Sequence, residues 1–169
     1  MNDGSIPLAG DGRFAGYASI FGQLDQGGDI VMSGAFRQSL TRKGEAQIRM
    51  LFQHDPKEPI GVWERIVEDD HGLWVEGRLL PAVPRAKALV HLIENSALDG
   101  LSIGFRAVRA RRELTTGYRR LTQIDLWEIS VVTFPMMEGA RICSGANVPE
   151  NAARLKQSLR AAASLLRNQ

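Results

Sequence analysis

Leu98-Asp99-Gly100-Leu101-Ser102-Ile103-Gly104-Phe105 sets one hydroxyl between two apolar residues, with a glycine two positions away on each side. On an extended strand the Ser102 side chain points away from the face shared by Leu101 and Ile103, so it can face a cleft while they enter a core. Glycines on either side would let a substrate backbone approach that hydroxyl closely. Gly100 to Gly104 also satisfies G-x-S-x-G, which in an α/β-hydrolase stands on a strand, a sharp turn and then a helix. Here the surroundings are reversed: a helical stretch from Arg85 to about Ser96 precedes the serine, and a strand-like stretch from Ile103 to Arg109 follows it. That hydrolase order is serine, acid, histidine, whereas His54, His71 and His91 all precede Ser102. The pattern carries no fold information, yet serine chemistry stays open.

Working outward, Arg13 to Phe21 alternates as a strand, and Asp25-Gln26-Gly27-Gly28-Asp29 is a turn signal behind it. Ser33 reads as the N-cap of a short helix through Leu40, with Phe36 and Leu40 on its buried side and Gly44 closing it. Gln47 to Phe52 predicts a strand that delivers Gln53-His54-Asp55-Pro56 at its end. Ile60 to Val67 and Leu73 to Leu80 flank Glu68-Asp69-Asp70-His71-Gly72 as a hairpin, across which Trp63 and Trp74 are expected to pack. Pro81 and Pro84 end that strand and open a helix whose apolar stripe is Ala88, Leu89, Leu92 and Ile93. Tyr118 to Ile124 and Leu126 to Phe134 complete the sheet, and Pro135 stops it. Pro149 to Arg167 carries Leu155, Leu159, Ala162 and Leu166 at helical spacing, an amphipathic helix whose narrow apolar face needs a partner. The expected organisation is one domain over residues 1–143, then a linker and helix over 144–169.

With 169 residues, 44% of them hydrophobic and 24% charged, the chain can bury a core without disulfides or metal. No apolar run approaches the ~18 residues that cross a bilayer, so no membrane partner is expected. Met1 to Gly12 is polar and glycine-rich rather than a secretory leader, and a lone cysteine, Cys143, points to a reducing compartment. The net charge of +2 is too small to call for nucleic acid, although residues 101–169 are basic and 1–100 acidic. Arg106, Arg109, Arg111, Arg112, Arg119 and Arg120 flank a turn at Thr115-Thr116-Gly117, which reads as a solvated hairpin, the alternative being a docking surface for an acidic partner. Scattered histidines, the single cysteine, and His91 with Glu94 as a weak pair give no metal site. No phosphate-binding loop occurs, so no cofactor is expected.

A serine attacks a carbonyl only if a base accepts its proton, and the base should be histidine. His91 lies among apolar helix residues and His71 in an acidic turn, settings that explain them structurally. His54 follows an apolar strand and precedes Asp55-Pro56, where a strand hands a side chain to a cleft; a surface histidine is the alternative. The third member orients the imidazole. Glu128, within Leu126-Trp127-Glu128-Ile129-Ser130-Val131-Val132, is the best candidate because a glutamate among core residues is costly without a partner. It could instead share a mixed solvent face with Leu126, Ser130 and Val132, and Asp125 and Asp55 are rivals for the role.

Ser33-Gly34-Ala35-Phe36, Gln53-His54-Asp55, Gly61, Gly72-Leu73, the run Leu98 to Phe105, and Trp127 to Val132 with Pro135 together resemble the tailed-phage prohead serine proteases, with relatives in gene transfer agents. The resemblance covers about Gly12 to Arg141. It implies an α+β, mainly β fold similar to the herpesvirus assemblins: a closed antiparallel barrel with surrounding helices. It also implies Ser102 as nucleophile, His54 as base, and Glu128 where those enzymes carry a second histidine. Arg141, or backbone N–H groups near Gly104 or Met136, would then line the oxyanion site. The implied activity is cleavage of the scaffolding segment of the major capsid protein, and of the protease itself, inside the assembling prohead in the bacterial cytoplasm. The C-terminal helix would bind scaffold or shell, or a second copy. The reading from another class is a non-catalytic internal assembly factor.

Overall fold

The computed structural model of the protein describes residues 11–143. In chain order these form β1 (Arg13–Ile20), β2 (Asp29–Val31), α1 (Arg37–Lys43), a 3-10 turn (Glu45–Gln47), β3 (Arg49–Phe52), β4 (Asp55–Glu68), β5 (Gly72–Leu79), α2 (Pro84–Glu94), β6 (Gly100–Arg112) and β7 (Arg119–Val132). The expected helix at 149–167, its linker and its self-association lie outside the described residues.

β7 is the spine. On one edge it pairs in parallel with β2 through Arg119 to Leu121 and with β3 through Glu128 to Val131. Along its other edge it pairs antiparallel with β6. From β3 the sheet continues through β4 and β5 to β1. Arg141 and Ile142 make isolated bridges to Gly100 of β6 and Gly16 of β1, between the two ends of the curl. The strands thus form a mixed, curled half-barrel sheet, parallel at β2–β7 and β3–β7 where an antiparallel barrel was expected. The reason lies in the connections: β2 and β3 each reach β7 by long crossovers containing helices, and such connections allow parallel pairing where a hairpin cannot.

The concave side is filled by Met50, Leu73, Leu79, Leu101, Leu126, Ile129 and Val131, each nearly inaccessible to solvent. α2 meets β4 and β5 and buries Ala86, Leu89 and Ile93, while Leu92 is exposed, so its buried stripe is rotated from the expected one. Pro84 stands in its first turn, where a missing N–H costs nothing. α1 begins at Arg37, not beside Ser33. Gly34 has φ +88, outside the helical region, and its N–H is taken by the Glu68 carboxylate, so the chain cannot turn helically until Phe36. Trp63 and Trp74 do not pair either. Trp63 meets Phe14 edge-on at 5.6 Å and Trp74 meets Tyr17 at 5.0 Å, because the β4–β5 register sets Trp63 opposite Gly77 and Trp74 opposite Val67.

β6 and β7 are longer than expected, and both continue into the arginine-bearing arm. Within β7 one irregularity matters for the site. Gly104 pairs with Glu128 but Phe105 pairs with Leu126, so Trp127 is an extra residue, a bulge. Unbroken alternation would put Leu126 and Glu128 on one face. The bulge shifts the phase: Leu126 points to the core before it and Ile129 and Val131 after it, leaving Glu128 and Ser130 on the convex face and Trp127 exposed.

Candidate active site

β3 and β4 meet in a two-residue turn, Gln53-His54, between the paired residues Phe52 and Asp55. Both turn residues have positive φ, +53 and +59, as a type I′ hairpin requires, although neither is the asparagine or glycine that adopts it readily. Neighbouring bonds hold this strained backbone. Gln53 N–H donates to the Val131 carbonyl at 3.0 Å, the Gln53 side-chain amide donates to Thr133 Oγ1 at 2.7 Å, and His54 N–H donates to Ser130 Oγ at 3.1 Å. The outcome is a histidine turned back over the convex face of β7.

There His54 Nδ1 lies 2.6 Å from Glu128 Oε1. The other carboxylate oxygen, Oε2, accepts from Ser130 Oγ at 2.6 Å. Ser130 is fully buried and serves two partners at once, donating to Glu128 and accepting from the His54 amide. The Glu128 carboxylate holds the His54 imidazole above its ordinary pKa, a hydrogen-bond effect that outweighs partial burial of the ring. With Nδ1 engaged, Nε2 is the ring nitrogen left for another group.

Ser102 stands directly opposite Ser130 on β6, and Gly104 opposite Glu128. Residues paired this way project on the same face, so Ser102, Glu128 and Ser130 share the convex side with His54 arching over them. Ser102 is 4% exposed. The bonds of His54 run to Glu128 and Ser130, and none joins it to Ser102. The geometry therefore unites His54 with Glu128 and sets Ser102 next to both in the sheet without a direct bond. Catalytic contacts commonly tighten only on substrate docking.

The flanking glycines have a different purpose from the one expected. A Cβ at Gly104 would lie 1.9 Å from Glu128 Oε1, so glycine there clears the path of the carboxylate towards His54. At Gly100 a Cβ would meet the Val132 carbonyl at 2.5 Å and the Pro135 ring at 2.9 Å. Both admit neighbouring protein rather than substrate. Gly104→Ala is accordingly expected to push the carboxylate aside, and the His54 imidazole, followed by NMR titration, should fall back towards its ordinary value of about 6.5.

The rival carboxylates are occupied elsewhere. Asp125 bonds Arg42, Lys43 and the Trp127 indole, which together hold it down at about 2. Asp55 accepts from the Lys57 amide two residues along β4. Arg141 is tied to Asp99 at 2.5 Å and to the Glu138 carbonyl at 2.9 Å, so it fastens the 138–142 segment rather than projecting free. His91 is exposed on α2 beside Glu94, and the His71 ring packs edge-on against Tyr17. Sequence reasoning missed Ser130; a hydroxyl two residues from a glutamate within a buried strand was the available signal. Among the described residues no cluster of metal-ligating side chains occurs.

The sequence model of the caudovirus prohead serine protease family matches residues 5–154. The prohead protease of Enterobacteria phage HK97 is 35% identical over 149 residues, 85% of this chain and 66% of its own length. That of Escherichia phage T5 is 30% identical over 125 residues, 73% of this chain and 58% of its own. The chain thus spans slightly under two thirds of the first relative and less of the second. Among solved structures, the bacteriophage T4 capsid assembly protease superposes with a TM-score of 0.60 at 11% identity, over 78% of this chain and 89% of that one. KSHV protease bound to a hexapeptide phosphonate inhibitor gives 0.55 at 14% identity, over 88% and 76%. At such identities the likeness is one of fold.

Proposed function

Because the chain belongs to the caudovirus prohead serine protease family, we propose that it is a serine endopeptidase in which Ser102 attacks, His54 moves the proton and Glu128 holds the ring. The observation that carries this reading is the 2.6 Å contact between His54 Nδ1 and Glu128, made on the face that Ser102 shares. With Nδ1 held by the carboxylate, Nε2 accepts the Ser102 proton as Oγ bonds to the scissile carbonyl carbon. The imidazolium that results is stabilised by the same carboxylate that raises the His54 pKa. Collapse of the tetrahedral intermediate breaks the C–N bond, and His54 returns its proton to the departing amine. Water, deprotonated by His54, then releases the acyl group and restores Ser102.

The substrate is the scaffolding segment of the major capsid protein, with self-cleavage beside it, inside the prohead as it assembles in the bacterial cytoplasm. Support comes from the two related prohead proteases and from a fold like that of a capsid assembly protease. A serine-reactive peptidyl phosphonate is the direct test. It should add one covalent adduct, mapping by peptide mass spectrometry to Ser102, and none to Ser102→Ala. Absence of an adduct on wild-type protein that also leaves capsid precursor uncut would transfer support to the assembly-factor reading.

A further inference from the structure

Between its pairing with β2, which ends at Leu121, and with β3, which starts at Glu128, the edge of β7 has no strand beside it among the described residues. The end of α1 fills that gap with side chains. The Leu126 main-chain groups turn to this open edge and need partners. Buried Ser39 accepts the Leu126 N–H at 2.9 Å, and Lys43 Nζ donates to the Leu126 carbonyl at 2.7 Å. The same ammonium reaches Asp125 Oδ1 at 2.7 Å, Arg42 bonds that oxygen too, and Oδ2 accepts from the Trp127 indole at 3.0 Å. Arg106, 3.7 Å from Asp125, is the further charged group facing it. Asp125 is held at about 2, so the network keeps its charges throughout the neutral range. Asp125, Leu126 and Trp127 run directly into Glu128, and Trp127 is the bulge that turns Glu128 to the convex face. Were the strand ahead of it free to slip by one residue, the alternation would be restored and Glu128 would return to the face of Leu126.

We propose that Ser39, Lys43 and Asp125 are positioning residues for the catalytic acid: the end of α1 pins the strand ahead of the Trp127 bulge and so fixes the aim of Glu128 at His54. The bonds just described stop at residues 125–127, and those of Glu128 run to His54 and Ser130, so the effect passes through the bulge. At 16% and 10% exposure, the Lys43 and Asp125 side chains are shielded from the screening that makes surface pairs weak. Lysine suits the place because its ammonium is a compact, freely rotating donor, able to meet a carboxylate and a carbonyl in different directions.

This inference rests on the serine protease reading, and the test separates the two. Lys43→Met in the full chain keeps the methylene stem and removes the ammonium. Loss of a cation raises a nearby imidazole by charge alone, whereas misdirection of Glu128 has the opposite sign. The His54 imidazole, followed by NMR titration, should therefore fall towards its ordinary value of about 6.5. Labelling by the serine-reactive phosphonate should slow on the order of a hundredfold, the scale of a ~1 Å misplacement. In a Glu128→Gln background the same substitution should cost little more, because the group it aims is already gone. Ser39→Ala, which removes one hydroxyl and changes no charge, should lower the His54 titration as well, and circular dichroism confirms folding of each variant. A His54 titration unchanged or raised in the folded variants overturns the proposal, and so does an equal fold-loss with and without Glu128. Wild-type protein that the phosphonate does not label overturns the protease reading, while the His54 titration still decides whether α1 aims Glu128.

Discussion

Ser102→Ala is expected to leave a folded chain that no longer cuts capsid precursor or itself, with the rate on peptide substrate down on the order of 10⁶-fold. Folding should survive because no hydrogen bond among the described residues uses the Ser102 hydroxyl, so its removal orphans nothing. Ser130→Ala is the necessary companion, since Ser130 faces the same side on the neighbouring strand. That variant loses the bonds to the His54 amide and to Glu128, and should be impaired in proportion to the loosened turn while keeping turnover and covalent labelling at Ser102. A fully active Ser102→Ala protein, with Ser130→Ala inert, would move the nucleophile to position 130.

Glu128→Gln carries the second large effect. Glutamine fills the same volume but removes the charge that stabilises the imidazolium and offers an amide that does not enforce the required tautomer, so kcat should fall about 10⁴-fold, as in the Ser-His-Asp template. The pH profile supplies the diagnostic. His54 works as a base only when neutral, and Glu128 raises its pKa, so the wild-type rate climbs with pH through a value above about 6.5. In Glu128→Gln that limb should shift to lower pH, towards the ordinary histidine value. The stability linkage has the opposite slope: a raised folded pKa gives stabilisation that is complete below the unfolded pKa and lost as pH rises through the folded one. The gap between wild-type and Glu128→Gln melting temperatures should therefore narrow from pH 5 to pH 8. A limb that stays in place would show that Glu128 is not the partner of His54 in solution.

His54 and Glu128, which the structure joins at 2.6 Å, stood out in the sequence for different reasons. His54 stood at the end of an apolar strand before Asp55-Pro56, and such a position hands a side chain to a cleft whatever the fold. Glu128 stood among core residues, where an unpaired carboxylate is costly. Strict alternation, however, sends Glu128 to the same face as Leu126, and the Trp127 bulge that separates them is invisible along one strand: it exists only relative to Gly104 and Phe105 of the partner. The Gly104 misreading has the same origin. A glycine beside a nucleophile suggests room for substrate, but what fills the space is the Glu128 side chain from the next strand.

Local chemistry in the sequence by itself determined which segments extend or coil, where most turns fall, and which side chains are reactive, since apolar period, proline, glycine and ionisable groups act over a few residues. Tertiary structure alone decided that β2 and β3 join β7 in parallel, that the barrel stays half-curled in its described part, and that a bulge turns Glu128 towards a histidine held at positive φ. Those outcomes depend on register between strands distant in sequence, where a shift of one residue exchanges the faces and no local pattern records which register wins.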